Sequence, residues 1–172
     1  AILLAGAPKG WGTHIAQSTY MRDIHDRIDG PAPHVDLAKE KKVGDFVRGL
    51  INDGLATAVH DCSSGGLGVA VAEMAISSGI GATVNQPENN DPVLAFYGED
   101  QGRYVLTIAQ DNAETVAQRA KEAGVECPVI GKTGGSEVSL GSAKPVAIKQ
   151  LLSAHESWFP DFMDGPSLAA AE

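Results

Sequence analysis

The sequence predicts a layered α/β or α+β domain, a mixed sheet with packed helices, and three observations carry that prediction. Short apolar or alternating runs bounded by turn residues recur along the chain, as strands require, and stretches with apolar residues at three- and four-residue spacing lie between them, as helices require. The 172 residues, 43% hydrophobic and 20% charged, are enough for one hydrophobic core. No internal repeat and no long linker divides the pattern, so residues 1–163 are expected to form one domain and the small, aperiodic residues of 164–172 a flexible tail.

Ile2 to Leu4 has the character of a buried strand, and this apolar start without an initiator Met suggests excision from a longer polypeptide. A Gly-rich loop, Gly6 to Gly12, follows; it lacks the Gly-x-x-x-x-Gly-Lys-[Ser/Thr] pattern of a P-loop. Tyr20, Ile24 and Ile28 recur every fourth residue and predict a helix that the Gly30-Pro31-Ala32-Pro33 stretch ends. Val43, Phe46, Val47, Leu50 and Ile51 mark one face of a second helix, with Gly54 at the left-handed C-terminal position. Thr57 to His60 then predicts a strand, and Gly66 to Ser78 a buried helix rich in Ala, Val and Met.

Gly81 to Asn85 and Arg103 to Ala109 alternate like strands, and Pro87 to Pro92 between them predicts an exposed loop. Asp111 with Glu114 three residues on suggests a capping box that opens a helix running to Ala123, before Gly124. Pro128 to Lys132, Glu137 to Leu140 and Pro145 to Ile148 predict three short strands, the first two joined through a hairpin turn at Gly134-Gly135. Leu151, Leu152 and His155 predict a last helix, broken near Pro160.

Thirteen basic against 22 acidic residues give a net charge of -9, which opposes binding to nucleic acid or to anionic membrane. No apolar run approaches the roughly 20 residues needed to cross a bilayer, and a cytoplasmic setting is expected by default. Cys62 and Cys127 lack the spacing of a disulfide framework or a zinc site, and His14, His25, His34 and His155 are scattered, so no metal site is expected.

Two segments carry candidate chemistry. In His60-Asp61-Cys62-Ser63-Ser64-Gly65-Gly66-Leu67-Gly68 the turn lies between a strand end and a helix start, where free N–H groups and the helix dipole favour an anion. The plainer reading is that Ser63 or Ser64 caps the helix while Gly65 and Gly66 allow close packing. His60 and Asp61 point to opposite faces of a strand and are not expected to act as a concerted acid/base pair. The second segment, Phe96 to Tyr104, offers Glu99, Asp100, Gln101 and Arg103 to a ribose, a phosphate or a metal-bound phosphate. Its plainer reading is a solvated loop with a surface Glu99–Arg103 pair.

In order along the chain, Val35-Asp36-Leu37, Gly44-Asp45-Phe46-Val47-Arg48, His60 to Leu67 with Ala72-Glu73-Met74-Ala75, and Tyr97-Gly98-Glu99 to Arg103-Tyr104 resemble the C-terminal domains of the phosphoribosylformylglycinamidine synthases, in the aminoimidazole ribonucleotide synthetase superfamily. The resemblance spans roughly Ile2 to Met163. It implies an enzyme with two tandem pairs of an ATP-binding domain and a C-terminal α/β domain, this chain being the second C-terminal domain. The implied activity is ATP- and Mg²⁺-dependent conversion of formylglycinamide ribonucleotide to the amidine, with ammonia supplied from glutamine by an amidotransferase domain or subunit. The implied partners are the other domains of the same polypeptide. The catalytic His and the Mg²⁺-binding acids of the ATP-binding domain have no counterpart here. Glu99-Asp100-Gln101 is similar to a Glu-Ser-Gln segment that contacts substrate in the first repeat, with Asp100 replacing Ser, which implies a non-catalytic nucleotide or phosphate site. The site candidates are thus His60, Asp61, Ser63, Ser64, Gly65, Gly66, Glu99, Gln101 and Arg103, none of them catalytic. Two alternatives are the C-terminal domain of another superfamily enzyme, such as a selenophosphate synthetase, and a structural or nucleotide-binding module without chemistry.

Overall fold

The computed structural model describes residues 1–88 and 90–164, so of the expected tail 164–172 all but Asp164, which ends the last helix, lies outside the described residues. Ile2–Ala5 (β1) is buried along its whole length and lies inside the sheet. Alternation sends Ile2 and Leu4 into one hydrophobic cluster and Leu3 and Ala5 into the other. A strand that feeds two cores in this way must be covered by helices on both faces, so the domain has three layers.

The sheet is completed by Ala56–Asp61 (β2), Ala82–Val84 (β3), Tyr104–Ile108 (β4), Val129–Thr133 (β5), Glu137–Leu140 (β6) and Val146–Ala147 (β7). Its order is β2-β4-β1-β5-β3-β6-β7, with every neighbouring pair antiparallel except β3 and β6. The predicted β5–β6 hairpin is corrected here, because β3 inserts between the two strands. The Gly134-Gly135 turn wraps over the start of β3 instead: Gly134 N–H donates to Gly81 O at 2.7 Å and Gly81 N–H to Gly135 O at 2.9 Å. A Cβ at Gly81 would lie 2.5 Å from Glu137 O and 2.6 Å from Gly134 O, so only glycine allows this crossing.

Leu37–Asn52 (α2) and Ala113–Ala123 (α5) cover the face that carries Leu3, Leu106 and Ile108. Asp36 caps α2 by accepting Ala38 and Lys39 N–H at 3.0 Å each. Those two hydrogen bonds, that from Lys39 the stronger influence, hold the Asp36 carboxyl below its usual range. Val43, Phe46, Val47 and Leu50 are buried as expected, but Ile51 is 50% exposed, because it lies at the margin of the stripe. The expected capping box at Asp111 does not form: residues 110–112 make a 3₁₀ turn, and α5 starts at Ala113 with no side-chain cap.

Gly66–Ser78 (α3), Pro92–Tyr97 (α4) and Ile148–Asp164 (α6) contribute to the opposite face. α4 follows directly on the Pro87 to Pro92 segment expected as a loop, with Asp91 and Pro92 as its N-cap and first residue, Asp91 accepting Val93 and Leu94 N–H at 2.8 and 3.1 Å. Thr19–His25 (α1) is shorter than the Tyr20, Ile24, Ile28 spacing predicts. The left-handed Asp26 closes it, Arg27 N–H bonds to Met21 O at 3.1 Å, and Ile24 and Ile28 are left exposed. α6 continues through Pro160 rather than breaking there. Its last turns are exposed, and the proline N–H missing at Pro160 removes one hydrogen bond of the helix there.

Candidate functional site

Folding brings the two candidate segments together. β2 and β4 pair antiparallel, with Asp61 opposite Tyr104, and Cys62 N–H donates to Arg103 O at 2.9 Å. The turn that opens α3 therefore sits beside the segment that enters β4.

Glu99 occupies the position foreseen for an anion. Its Oε1 accepts Gly65 N–H at 2.7 Å and Thr19 N–H at 2.7 Å, so one carboxylate sits on the positive ends of both α3 and α1. Gly66 N–H donates to Ser63 O at 3.0 Å. The expectation that several N–H groups of this turn face outward is thus corrected at Gly65 and Gly66. A Cβ on Gly66 would lie 2.5 Å from Gly98 O and 3.0 Å from Phe96 O, so the C-terminal carbonyls of α4 close over the start of α3. Neither Ser63 nor Ser64 caps α3; no side chain bonds from the Gly65 cap position, and Glu99 reaches in from another element.

Asp100 and Arg103 complete a clamp on the first loop. Asp100 accepts Thr13 N–H at 2.8 Å, His14 N–H at 3.2 Å and the Thr13 hydroxyl. Arg103 is 2% exposed, and its Nε, Nη1 and Nη2 donate to Asp100 O, Trp11 O and Gly98 O. The surface Glu99–Arg103 pair is therefore corrected to a buried guanidinium bound to main-chain carbonyls. The clamp holds Trp11 at φ 70°, a conformation that a large L-residue rarely adopts. Gln101 is exposed and lines a polar cavity of about 360 Å³ with His14, His34, Asp36, Lys39 and Glu40.

His60 finds a partner that sequence spacing does not reveal. Its Nδ1 meets Asp61 O at 2.7 Å, and its Nε2 lies 3.2 Å from Glu73 Oε2 on α3. The Asp61 carboxylate stands farther away, at 3.7 Å, and is exposed. His60 and Glu73 also line an open recess of about 730 Å³ between α3 and the β2–β4 end of the sheet. Burial pushes the Cys62 thiol up to about 11, so it is no nucleophile near neutral pH.

Among the described residues no group of three or more His, Cys, Asp and Glu side chains is placed to hold a metal ion. A nucleotide phosphate at the Gly65-Gly66 turn would have to displace the Glu99 carboxylate, so the turn as folded does not fit one. No described helix is long and apolar enough to cross a membrane.

Residues 1–141 match the family described as AIR synthase related protein, C-terminal domain. The chain is 71% identical over 164 residues, 95% of its length, to the phosphoribosylformylglycinamidine synthase subunit PurL of Rhizobium meliloti. It is 68% identical over 171 residues, 99% of its length, to the same subunit of Agrobacterium fabrum. It spans 22% of the length of each of these relatives. In fold it is similar to Thermotoga maritima PurL complexed with FGAR, with a TM-score of 0.71 at 17% identity, covering 88% of this chain and 27% of that one. A thiamine-monophosphate kinase from Stenotrophomonas maltophilia is similar at a TM-score of 0.53 and 18% identity, covering 83% of this chain and 50% of that one.

Proposed function

This chain belongs to the family of AIR synthase related protein C-terminal domains, and on that premise we propose that it works as one domain of a longer phosphoribosylformylglycinamidine synthase polypeptide. The observation that carries this reading is the 71% identity to a PurL subunit over 95% of the chain. The reaction would take place in the cytoplasm, with Mg²⁺ and with ammonia from a glutamine amidotransferase partner. ATP would phosphorylate the amide oxygen of formylglycinamide ribonucleotide, releasing ADP; ammonia would then add to the iminophosphate carbon and expel inorganic phosphate, leaving the amidine.

Within residues 1–163, taken as one domain, the contribution of this chain is architectural. Glu99, Gly65, Gly66 and Arg103 form the internal frame, supported by the double cap and the buried guanidinium. His60, Asp61, Ser63, Ser64 and Gln101 are the groups left at least partly exposed for a ligand or a neighbouring domain. The Mg²⁺ and ATP ligands lie in the parts of the longer polypeptide outside this chain.

The test is amidine formation from formylglycinamide ribonucleotide, ATP and ammonium. The full-length polypeptide should be active and the 172-residue chain inactive. Turnover by the chain alone would overturn the architectural role, and an inactive full-length polypeptide would overturn the reaction.

A further inference from the structure

α6 carries an apolar stripe that runs beyond the core in which it starts. Ile148 is buried and Leu151 packs against the cluster beneath α3, which anchors the first turns. His155, Trp158 and Phe162 follow at spacings of four, three and four, so the same face continues for two more turns. There Trp158, Phe159, Phe162 and Met163 are 65%, 61%, 64% and 64% exposed. The Trp158 and Phe162 rings stack on each other, 5.4 Å apart and 10° from parallel, and Trp158 also meets the Phe159 ring at 6.4 Å. His155 also lines the recess between α3 and the sheet, so patch and recess are continuous. A helix encoded with a core-facing stripe along its whole length, yet covered along only half of it, lacks a neighbour among the described residues.

Charge selects among the neighbours. Beyond Lys149, with His155 counted neutral at pH 7, the charged side chains of α6 are Glu156, Asp161 and Asp164, all acidic. A second copy would bring the same acidic rim and another net charge of -9, setting like charges against each other. The family match ends at residue 141, before α6. The match to the Agrobacterium fabrum subunit nonetheless covers 99% of this chain, so α6 falls within it, and that match is 22% of the subunit's length. We propose that the last two turns of α6 dock on an apolar surface rimmed by Lys or Arg elsewhere in the longer polypeptide, an inference that rests on the chain being a domain of such a polypeptide.

Carbene footprinting of residues 155–164 tests this in the 172-residue chain and in the full-length polypeptide. Trp158 and Phe162 should label freely in the chain and about tenfold or more slowly in the full-length protein. The double variant Glu156→Lys/Asp161→Lys should restore labelling in the full-length protein. Equal labelling of the two proteins, protection of the chain that grows with its own concentration, or protection that survives the charge reversal would each overturn the proposal. The amidine assay on the same full-length preparation separates the two ideas, since activity without protection removes only the docking surface and protection without activity removes only the assigned reaction.

Discussion

Glu99 Oε1 accepts backbone N–H groups at the starts of two different helices, so removing it leaves α3 without a side-chain acceptor at its start and α1 with Ser18 as its remaining cap. Glu99→Ala should cost about 1.5–3 kcal/mol, the range for hydrogen bonds to a charged group, and Glu99→Gln less, because an amide oxygen still accepts. Urea unfolding of the two variants measures the difference; equal losses would show that the charge contributes nothing. Phosphate added to the native chain should leave the Gly65 and Thr19 amide NMR shifts unmoved, since both donors are taken. Gly65 is at φ +79°, and a Cβ there would lie 2.2 Å from a Val69 methyl, so Gly65→Val strains the fold and cannot probe ligand binding alone. The cysteines give a pH dependence with a fixed sign. Burial raises Cys62 to about 11 and Cys127 to about 12 from an ordinary 9.0. The folded state therefore keeps protons that the unfolded chain releases near 9. Their contribution is whole below pH 9 and is lost as pH rises towards 11 and 12. The Cys62→Ala/Cys127→Ala variant should show a flatter decline over that window when thermal midpoints are compared from pH 8 to pH 11.

At the scale of elements, α2 shows how a helical stripe is read and where it stops. Phe46 is 9% exposed within the cluster beneath α2, whereas Ile51 is 50% exposed at the stripe's edge. Phe46→Ala should cost about 3–5 kcal/mol. Ile51→Ala should stay within about 0.5 kcal/mol. Chemical denaturation of both variants decides whether the face is assigned correctly. Spacing alone placed Ile51 with the core because it resolves a face only to the width of a side chain. The same limit explains α1, where Ile24 and Ile28 repeat correctly but the left-handed Asp26 closes the helix first. α4 was missed for a different reason. Its six residues are too short to display a period, although the Asp91-Pro92 start was present in the sequence.

For the whole molecule, the two hydrophobic clusters share one sheet, with β1 and β4 contributing to both: Leu3 and Leu106 on one side, Leu4 and Val105 on the other. Neither cluster can melt without exposing the strands that support the other, so the chain should unfold in one cooperative step. Far-UV circular dichroism and Trp11 fluorescence in a Trp158→Phe background should give coincident transitions; separated midpoints would mean that the layers are independent. The sequence by itself determined the fold class, most of the strands, the buried face of α2, the whole of α3, and the family, because these rest on local periodicity, turn residues and contiguous motifs. Only the tertiary structure decided that β3 separates β5 from β6, that Glu99 fills the anion position at the start of α3, that Arg103 is buried on main-chain carbonyls, and that His60 meets Glu73. These are contacts between residues distant along the chain, set by strand order and by the approach of separate elements, and neither leaves a period or a spacing in the sequence.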